Sequence, residues 1–353
     1  MFMKNNNLVI MAGGVGSRFW PMSTEETPKQ FIDVLGVGKS LLQLTMQRFA
    51  GICAPENVWV VTNAAYVDKV HEQLPEIPRE NILSEPCRRN TAPCICYVSW
   101  RIKSKNPNAN IVVTPSDHIV TDTQEFQRVI KSALQFTSES DAIVTLGMKP
   151  TRPETGYGYI QADLASNTLR NKEIFTVEQF REKPDLETAK EYVKQNNYFW
   201  NAGIFVWSVS TIVNAFRLYA PTINRIFESL ESVYGTPEEQ AMIDKVYPEC
   251  ESISVDYAIM ENAEAIYVQP SDFGWSDLGT WGSLWTLVKH DVNGNGCIGS
   301  NVRMIDSHDC IVHTTEEKQV VIQGLDGYIV AEKDDTLLIC KLSEEQRIKN
   351  FHD

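Results

Sequence analysis

Long apolar runs are missing from this sequence of 353 residues. No stretch approaches the roughly 18 consecutive apolar residues that a bilayer-spanning helix requires. The short apolar run at residues 8–12 ends in glycines instead of a cleavage site, which is not the pattern of a signal peptide. We therefore expect a soluble protein without a membrane segment.

Positive charge is scarce as well. The formal net charge is −14, and no long block of like charge interrupts a composition that is 43% hydrophobic and 22% charged. Such a composition is typical of a globular protein. The negative balance argues against general binding to nucleic acid or to an anionic membrane surface. If the substrates are anions, the basic side chains that bind them must be gathered locally.

Paired cysteine motifs are also absent. The eight cysteines are scattered, and none forms a Cys-x-x-Cys pair with a second such pair, which argues against a structural zinc site. Free, unpatterned cysteines in an acidic chain of this length indicate a reducing compartment. We expect a cytoplasmic protein.

Strands and helices alternate through the first two-thirds of the chain. Short apolar runs rich in β-branched residues predict buried parallel strands; they lie at residues 8–12, 58–62, 111–114 and 142–146. Helical candidates lie between them, at residues 41–49, 64–74, 92–103 and 125–137. This alternation predicts an α/β fold with a doubly wound, mostly parallel, Rossmann-like sheet. In such sheets, ligands bind beyond the carboxyl ends of the strands.

The character of the sequence changes near residue 290. Short β-rich pieces then follow one another, at residues 302–305, 310–313, 319–322, 328–331 and 336–341, with no helix before residues 343–350. We predict a larger domain at residues 1–288, which carries the chemistry, and a small β-rich, β-helix-like accessory domain at residues 289–353. Strand edges that are exposed in so small a unit usually find a partner, and we expect a homodimer.

The first predicted strand leads into a glycine loop that is followed by basic residues. Gly13, Gly14 and Gly16 precede Arg18, and Lys29 stands in a Pro-Lys-Gln-Phe segment. Glycines between a strand and a helix let backbone N–H groups approach phosphate oxygens closely. A tight turn would explain the glycines alone, but not the two cations at this spacing. The loop is a candidate phosphate site.

Two better-known phosphate loops do not fit. A dinucleotide-binding fingerprint needs a third glycine where this chain has Phe19. A Walker A loop needs a glycine at the position of Asp33, ahead of the Gly-Lys-Ser segment at residues 38–40. We regard that segment as a coincidence.

Together these residues resemble a known family. The series Gly-Gly-x-Gly-x-Arg, Trp-Pro and Pro-Lys-Gln-Phe is similar to the signature of sugar-nucleotide pyrophosphorylases, which are sugar-phosphate nucleotidyltransferases. The last segment resembles the mannose-1-phosphate guanylyltransferase branch. The resemblance implies that the loop carries a nucleoside triphosphate, with Arg18 and Lys29 as catalytic cations. Bacterial members often have an arginine where this chain has Thr24, which implies a greater dependence on these two cations and on a metal ion.

Two aspartates suit a metal site. Asp117 follows the predicted strand at residues 111–114, and Asp277 stands in an aromatic and glycine-rich segment at residues 272–281. Mg²⁺ prefers oxygen ligands, typically one or two carboxylates completed by phosphates and water. A turn or cap role would explain either aspartate alone, but the resemblance implies that both hold Mg²⁺. We expect His118 to be a structural hydrogen-bonding residue.

Three further segments resemble the sugar-phosphate side of the family's site. They contain Gly156 in a glycine–tyrosine segment, Glu182 and Lys183 before a proline, and Asn201 in Asn-Ala-Gly. The resemblance implies that the backbone at Gly156 faces the sugar. It further implies that Glu182 and Asn201 bind sugar hydroxyls and that Lys183 neutralises the sugar phosphate as a third catalytic cation.

The segment at residues 84–93 resembles the family's base-reading element. Glu85 is a reasonable acceptor for the N1 and N2 hydrogens of guanine, with Asn90 and Ala92 as further contacts. A helix-capping role is an equally good interpretation of such residues.

The resemblance implies one reaction, in which GTP and α-D-mannose 1-phosphate give GDP-mannose and pyrophosphate by Mg²⁺-assisted in-line attack of the sugar phosphate on the α-phosphorus. One alternative is a pyrophosphorylase for another sugar 1-phosphate or nucleotide. The other is a catalytically silent regulatory paralogue, which would be expected to lose Arg18, Lys29 or an aspartate; all are present. A phosphomannose isomerase domain, which longer relatives carry, has no room in 353 residues, and we expect none.

Overall fold

The computed structural model describes residues 4–14, 16–166, 171–314 and 318–351. The chain divides into two compact units. Unit 1 comprises Met1–Gly13, Arg48–Pro115 and Val120–Trp275, and unit 2 comprises Gly14–Gln47, Ser116–Ile119 and Ser276–Asp353. Unit 2 thus includes two segments that lie far upstream of the predicted boundary at residues 288 and 289.

A nine-stranded sheet forms the centre of unit 1. Its strands are β1 (Asn6–Met11), β2 (Val58–Asn63), β3 (Ile82–Glu85), β4 (Asn110–Pro115), β6 (Ile143–Met148), β7 (Tyr159–Asp163), β8 (Phe175–Arg181), β9 (Tyr198–Ser208) and β10 (Ile266–Ser271). They lie in the order β3-β2-β1-β4-β9-β6-β10-β8-β7. Two short strands, β5 (Ile119–Val120) and β11 (Trp275–Ser276), lie outside this sheet.

The first four strands of the sheet, β3, β2, β1 and β4, are parallel to one another. β1, β2, β4 and β6 are buried along almost their whole length, which is why they read as continuous apolar runs in the sequence. The other half of the sheet is mixed, because β9 runs antiparallel to both β4 and β6 while β10 is parallel to β6. The predicted α/β fold class is confirmed.

The helices of unit 1 follow the strands. They are α2 (Val67–Gln73), α3 (Thr91–Lys105), α4 (Thr123–Ser138), α5 (Leu186–Val193), α6 (Val209–Tyr219), α7 (Pro221–Glu228) and α8 (Glu239–Val246). α3 is buried from Ala92 to Ile102 and belongs to the main apolar core of the unit. A π-helical turn covers Asp256–Met260. No helix in the described ranges is long and apolar enough to cross a membrane.

Unit 2 is built mainly from short strands. They are β12 (Gly296–Ile298), β13 (Val302–Ile305), β14 (Ile311–His313), β15 (Val320–Gln323), β16 (Tyr328–Lys333) and β17 (Thr336–Lys341), joined by α1 (Leu41–Arg48), α9 (Trp281–Leu287) and a final 3-10 helix at Leu342–Asn350. β12, β14 and β16 pair in parallel, and so do β13 and β15. From β12 to β16, consecutive strands therefore alternate between two sheets, as a β-helix-like domain requires, and β17 ends the first of these sheets antiparallel to β16. The upstream segments join this unit because Phe19 and Leu41 share its apolar core with Trp281.

Candidate active site

The carboxyl edge of the sheet in unit 1 carries residues from both predicted binding sets. Glu85 is the last residue of β3. Asn201 pairs with Gly147 near the end of β6, so it lies at the same edge. Four strand spacings separate β3 from β9, or about 19 Å in the plane of the sheet. The edge is long enough for a ligand whose base and sugar are separate groups.

Glu85 is buried beside the start of the glycine loop. The Tyr247 hydroxyl donates a hydrogen bond to Oε1 of Glu85. Oε2 lies 3.4 Å from the point that a Cβ on Gly13 would occupy. Burial raises the pKa of Glu85 to about 7, against hydrogen bonds from Tyr247 and Cys94 that act to lower it. The structure thus brings together Gly13 and Glu85, two residues predicted to bind the nucleotide.

Asn90 and Ala92 begin helix α3. Asn90 is the N-cap with φ of 65°, and its Oδ1 accepts a hydrogen bond from the N–H of Thr91 at 2.9 Å. The N–H of Ala92 donates to the carbonyl oxygen of Ile253 at 3.1 Å. This geometry supports the capping interpretation for Asn90. Contact of either residue with guanine stays a prediction.

Glu182 and Lys183 form an ion pair on the sugar side of unit 1. Lys183 Nζ lies 2.5 Å from Oε1 of Glu182, whose side chain is only 8% exposed. A Cβ on Gly158 would lie 2.5 Å from Oε2 of Glu182, so a larger residue there would displace this carboxylate. Desolvation lowers the pKa of Lys183, but Glu182 outweighs it and the pKa is raised overall. Gly156, whose backbone is predicted to face the sugar, is exposed, and its N–H donates a hydrogen bond to Oε1 of Glu154.

Asn201 has a partner that the sequence did not reveal. Its Nδ2 donates to Oδ1 of Asp256 at 3.0 Å, and its Oδ1 accepts from the Thr145 hydroxyl at 3.0 Å. Burial, followed by the negative charge of Glu182, raises the pKa of Asp256 to about 6. Asp256 opens the π-helical turn, a feature that often occurs at functional sites. In the sequence, Asp256 is recognisable only as a carboxylate that precedes the apolar residues 258–260.

Lys29 ties together three loops of unit 2. Its Nζ lies 3.0 Å from Oδ2 of Asp117 and donates to the carbonyl oxygens of Asp277 at 3.2 Å and Leu278 at 2.7 Å. Only 5% of the Lys29 side chain is exposed. Gly16 has φ of 69°, and a Cβ on it would lie 2.5 Å from Cβ of Lys29. The glycine loop, the lysine and both predicted metal aspartates are thus packed as one cluster.

Asp117 and Asp277 are the predicted metal ligands of this cluster, and the structure gives the environment of each carboxylate. Burial acts to raise the pKa of Asp117, but the charges of Lys29 and His118 outweigh it and hold the pKa below its usual range. Because the folded pKa is lowered, Asp117 stays ionised at neutral pH, and the stability it contributes is lost only as the pH falls through that lowered pKa. Oδ1 of Asp277 accepts from the N–H of Gly279 at 3.2 Å.

Among the described residues, no group of three or more His, Cys, Asp or Glu side chains lies together. Mg²⁺ commonly takes one or two carboxylates and draws its other ligands from phosphates and water, whereas structural zinc takes four protein ligands. Asp117 and Asp277 offer carboxylate oxygens, the donor type that Mg²⁺ prefers, and their binding of a metal stays a prediction.

The remaining residues of the glycine loop are more exposed. Arg18 lies on a 3-10 helix at Ser17–Phe19, and its side chain is exposed. The carbonyl oxygen of Gly14 accepts a hydrogen bond from Nε2 of Gln30 at 2.9 Å. Val15 lies outside the described residues. An exposed cation at the end of a glycine loop suits an anionic ligand.

Lys29→Met should destabilise the protein, because it leaves the Asp117 carboxylate and two carbonyl oxygens without their shared donor. Breaking a buried ion pair costs about 3–5 kcal/mol. Since 30% of the Asp117 side chain is exposed, we expect about 2 kcal/mol after discounting for solvent screening. Urea unfolding measures the change. Lys39→Met is the matched control, because Lys39 is exposed and bonds only Gln47 among the described residues. Equal stability of the two variants would contradict the structural role of Lys29.

Comparison with known proteins supports the family resemblance of the glycine loop. Residues 7–294 match the family described as Nucleotidyl transferase, and residues 300–351 match the MannoseP isomerase/GMP-like beta-helix domain. The mannose-1-phosphate guanylyltransferase of Escherichia coli is 35% identical over 355 residues, covering 97% of this chain and 74% of that protein. The alginate biosynthesis protein AlgA of Pseudomonas fluorescens is 35% identical over 348 residues, covering 97% of this chain and 70% of that protein.

A solved structure is similar along the whole chain. The crystal structure described as mannose-1-phosphate geranyltransferase from Thermus thermophilus has a TM-score of 0.87 and 29% identity, covering 98% of each chain. These matches confirm the resemblance that the glycine loop suggested and the β-helix-like character of the C-terminal region. The chain belongs to the nucleotidyl transferase family and is similar to its members named mannose-1-phosphate guanylyltransferase.

Proposed function

We propose that this protein transfers GMP from GTP to α-D-mannose 1-phosphate, giving GDP-mannose and pyrophosphate. The observation that carries the proposal is the contact of Lys29 with Asp117 and with the loop of Asp277, because these are the charged residues that the family resemblance assigns to nucleotidyl transfer. The names of the relatives support the choice of base and sugar. The eight free thiols suit the reducing cytoplasm in which we place the reaction.

The sugar phosphate serves as its own nucleophile in this reaction. A phosphate monoester has a second pKa of about 6, so it carries close to two negative charges at neutral pH. No general base is then required, and catalysis reduces to alignment and charge neutralisation. Lys183, whose raised pKa keeps it charged, neutralises the sugar phosphate. Glu182 and Asn201 orient the sugar through its hydroxyls.

The triphosphate is held by cations and by backbone N–H groups of the glycine loop. Arg18 is exposed and supplies a planar donor fork to the phosphate oxygens. Lys29 adds positive charge and also fixes the loops of Asp117 and Asp277. We propose that Asp117 and Asp277 hold Mg²⁺. When bound, the ion supplies positive charge to the phosphate oxygens on which negative charge develops.

Asp117→Asn and Asp277→Asn should each lower kcat by about 100-fold or more, because each removes one charged oxygen ligand with little change of volume. Asp306→Asn is the control, since Asp306 is exposed in the same unit at a φ of 45° that asparagine tolerates. Mn²⁺ binding, followed by electron paramagnetic resonance, gives a readout that does not depend on turnover. Near-normal turnover and Mn²⁺ binding in either variant would remove that residue from the metal site.

The choice of base can be tested with a nucleotide panel. A carboxylate at Glu85 would be left unpaired by adenine, and sites that hydrogen-bond a specific group reject analogues lacking it by about 10⁴-fold. We expect a strong preference for GTP over ATP and UTP in a pyrophosphate-release assay with mannose 1-phosphate, and Glu85→Gln should relax it.

Different failures of this test have different meanings. Equal use of ATP or UTP by the wild type would reject the guanylyl assignment while leaving a pyrophosphorylase of other specificity. Use of glucose 1-phosphate in preference to mannose 1-phosphate would reject the sugar assignment. An intact GTP preference in Glu85→Gln would move base reading to the backbone near Asn90 and Ala92.

We also propose a homodimer formed through the β-rich domain. Val321, Leu337 and Ile339 are 55%, 60% and 55% exposed, and they line one groove of unit 2. They lie on β15 and β17, and β17 is an edge strand of its sheet. Exposed apolar side chains beside an open strand edge favour a partner.

Leu337→Glu combined with Ile339→Glu should convert a dimer to a monomer, because two buried charges would oppose the contact. Light scattering after size exclusion measures the mass. Leu164→Glu is the control, since Leu164 is also exposed but lies in unit 1. A monomeric wild type, or a double variant that stays dimeric, would contradict this arrangement.

A further inference from the structure

The carboxyl group of Glu85 is buried without a cation. Only 7% of the residue is exposed, and no charged side chain in the described ranges contributes to its pKa. The titratable groups that face it are the thiol of Cys94, from α3, and the hydroxyl of Tyr247, from the 3-10 helix after α8. A buried carboxyl group with only neutral partners is costly when ionised, so its environment calls for an explanation.

The ring of Tyr247 is fixed by the core of unit 1. Tyr247 is fully buried and makes edge contacts with the rings of Tyr97, at 6.4 Å between centroids, and Phe227, at 5.8 Å. The direction of its hydroxyl group is therefore set by packing and not by solvent. That hydroxyl reaches Oε1 of Glu85, while Oε2 faces the Gly13 side of the carboxyl group.

We infer that Tyr247 is a positioning residue for base recognition: by donating to Oε1 it orients the Glu85 carboxylate so that Oε2 is presented to the N–H groups of guanine. This inference rests on the proposed use of GTP. Guanine donates from N1 and N2, and a carboxylate accepts both, whereas a protonated carboxyl group would direct its own hydrogen at one of these donors. A phenol that donates to the carboxylate favours the form that binds.

An aromatic residue that merely fills the core is the competing explanation of Tyr247. The two explanations differ in what happens when the hydroxyl group alone is removed. A core role depends on the ring, which phenylalanine keeps. A positioning role depends on the hydrogen bond, whose loss makes Glu85 harder to ionise and so moves the pH at which GTP binding weakens.

The experiment is a pH profile of GTP kinetics for the full chain between pH 6 and 9.5. In the wild type, kcat/KM for GTP should fall as the pH drops through about 7, the pKa of Glu85. In Tyr247→Phe the fall should move up by about one pH unit, raising KM for GTP about fivefold at pH 7 and hardly at all at pH 9. We expect kcat to change less than KM. The terminal phosphate of GTP titrates in the same range. Because that titration is common to all variants, the result is the difference in pH profile between each variant and the wild type.

Two further variants complete the design. Tyr234→Phe is the matched control, because Tyr234 belongs to the same core and donates to the carbonyl oxygen of Phe227 instead of to Glu85; its profile should match the wild type. Cys94→Ala removes the second donor to Glu85 and should shift the profile in the same direction by a smaller amount. If Tyr247→Phe does not fold, Cys94→Ala is the variant that tests whether losing a hydrogen-bond donor to Glu85 shifts the pH profile.

The outcomes separate this inference from the proposed function. If the wild type does not use GTP, or if Glu85→Gln keeps the wild-type profile, the assignment of Glu85 to the base fails first. If the profile depends on Glu85 but stays at the wild-type position in both Tyr247→Phe and Cys94→Ala, the positioning role of Tyr247 is overturned.

Discussion

The ammonium group of Lys29 is surrounded by oxygen atoms of Asp117, Asp277 and Leu278 and has almost no contact with water. A cation taken out of water is costly unless it is paired and hydrogen-bonded. This arrangement therefore persists only while the loop of Lys29, the loop of Asp117 and the loop of Asp277 and Leu278 stay in place. The constraint also acts in the opposite direction, because the lysine fixes loops that are distant in sequence. The loops of Asp117 and Asp277, the two aspartates that we propose as metal ligands, are thereby held in position, which would lower the reorganisation that binding requires.

The charge of each proposed functional side chain matches the ligand group that it is proposed to bind. In unit 1, Glu85 and Asp256 are buried carboxyl groups whose pKa values are raised to about 7 and about 6. Both lie on the proposed base and sugar side, where the base and the sugar hydroxyls offer N–H and O–H donors; Lys183, in the same unit, is the cation proposed for the sugar phosphate. The cations Arg18 and Lys29 lie instead in the cluster of the glycine loop. In a chain of net charge −14, anionic phosphates can bind only where such cations are concentrated.

Local pattern predicted β1, β2, β4 and β6 and the short strands of the C-terminal region, but not the rest of the large sheet. The predicted strands at residues 302–305 and 336–341 coincide with β13 and β17, because short β-branched runs between turns have few alternatives. β3, β7, β8, β9 and β10 were not predicted; the four residues of β3, for example, mix apolar and polar side chains. Strand direction in the mixed half of the sheet depends on pairing between distant segments, and the sequence carries no local signal for it. The same holds for Asp256, whose partner Asn201 is 55 residues away, and for the buried environment of Lys29, whose carbonyl partners are about 250 residues away.

Three glycines of the site motifs have a steric reason that phosphate binding does not explain. A Cβ would lie 2.5 Å from the nearest side-chain atom at Gly16 and at Gly158, and 2.7 Å from it at Gly279, and real Cβ atoms essentially never approach so closely. The side chains packed against these three positions are Lys29, Glu182 and Asp277, in that order. Each is a proposed functional residue, so a side chain at these positions would displace the Glu182 and Asp277 carboxylates or clash with Cβ of Lys29. Gly14 differs, because no atom of the described residues other than its chain neighbours lies within 4 Å of the position that a Cβ on it would take. That open space beside the backbone is what close approach of a phosphate would require, so Gly14 is the glycine of this loop whose lack of a side chain the proposed phosphate contact would explain.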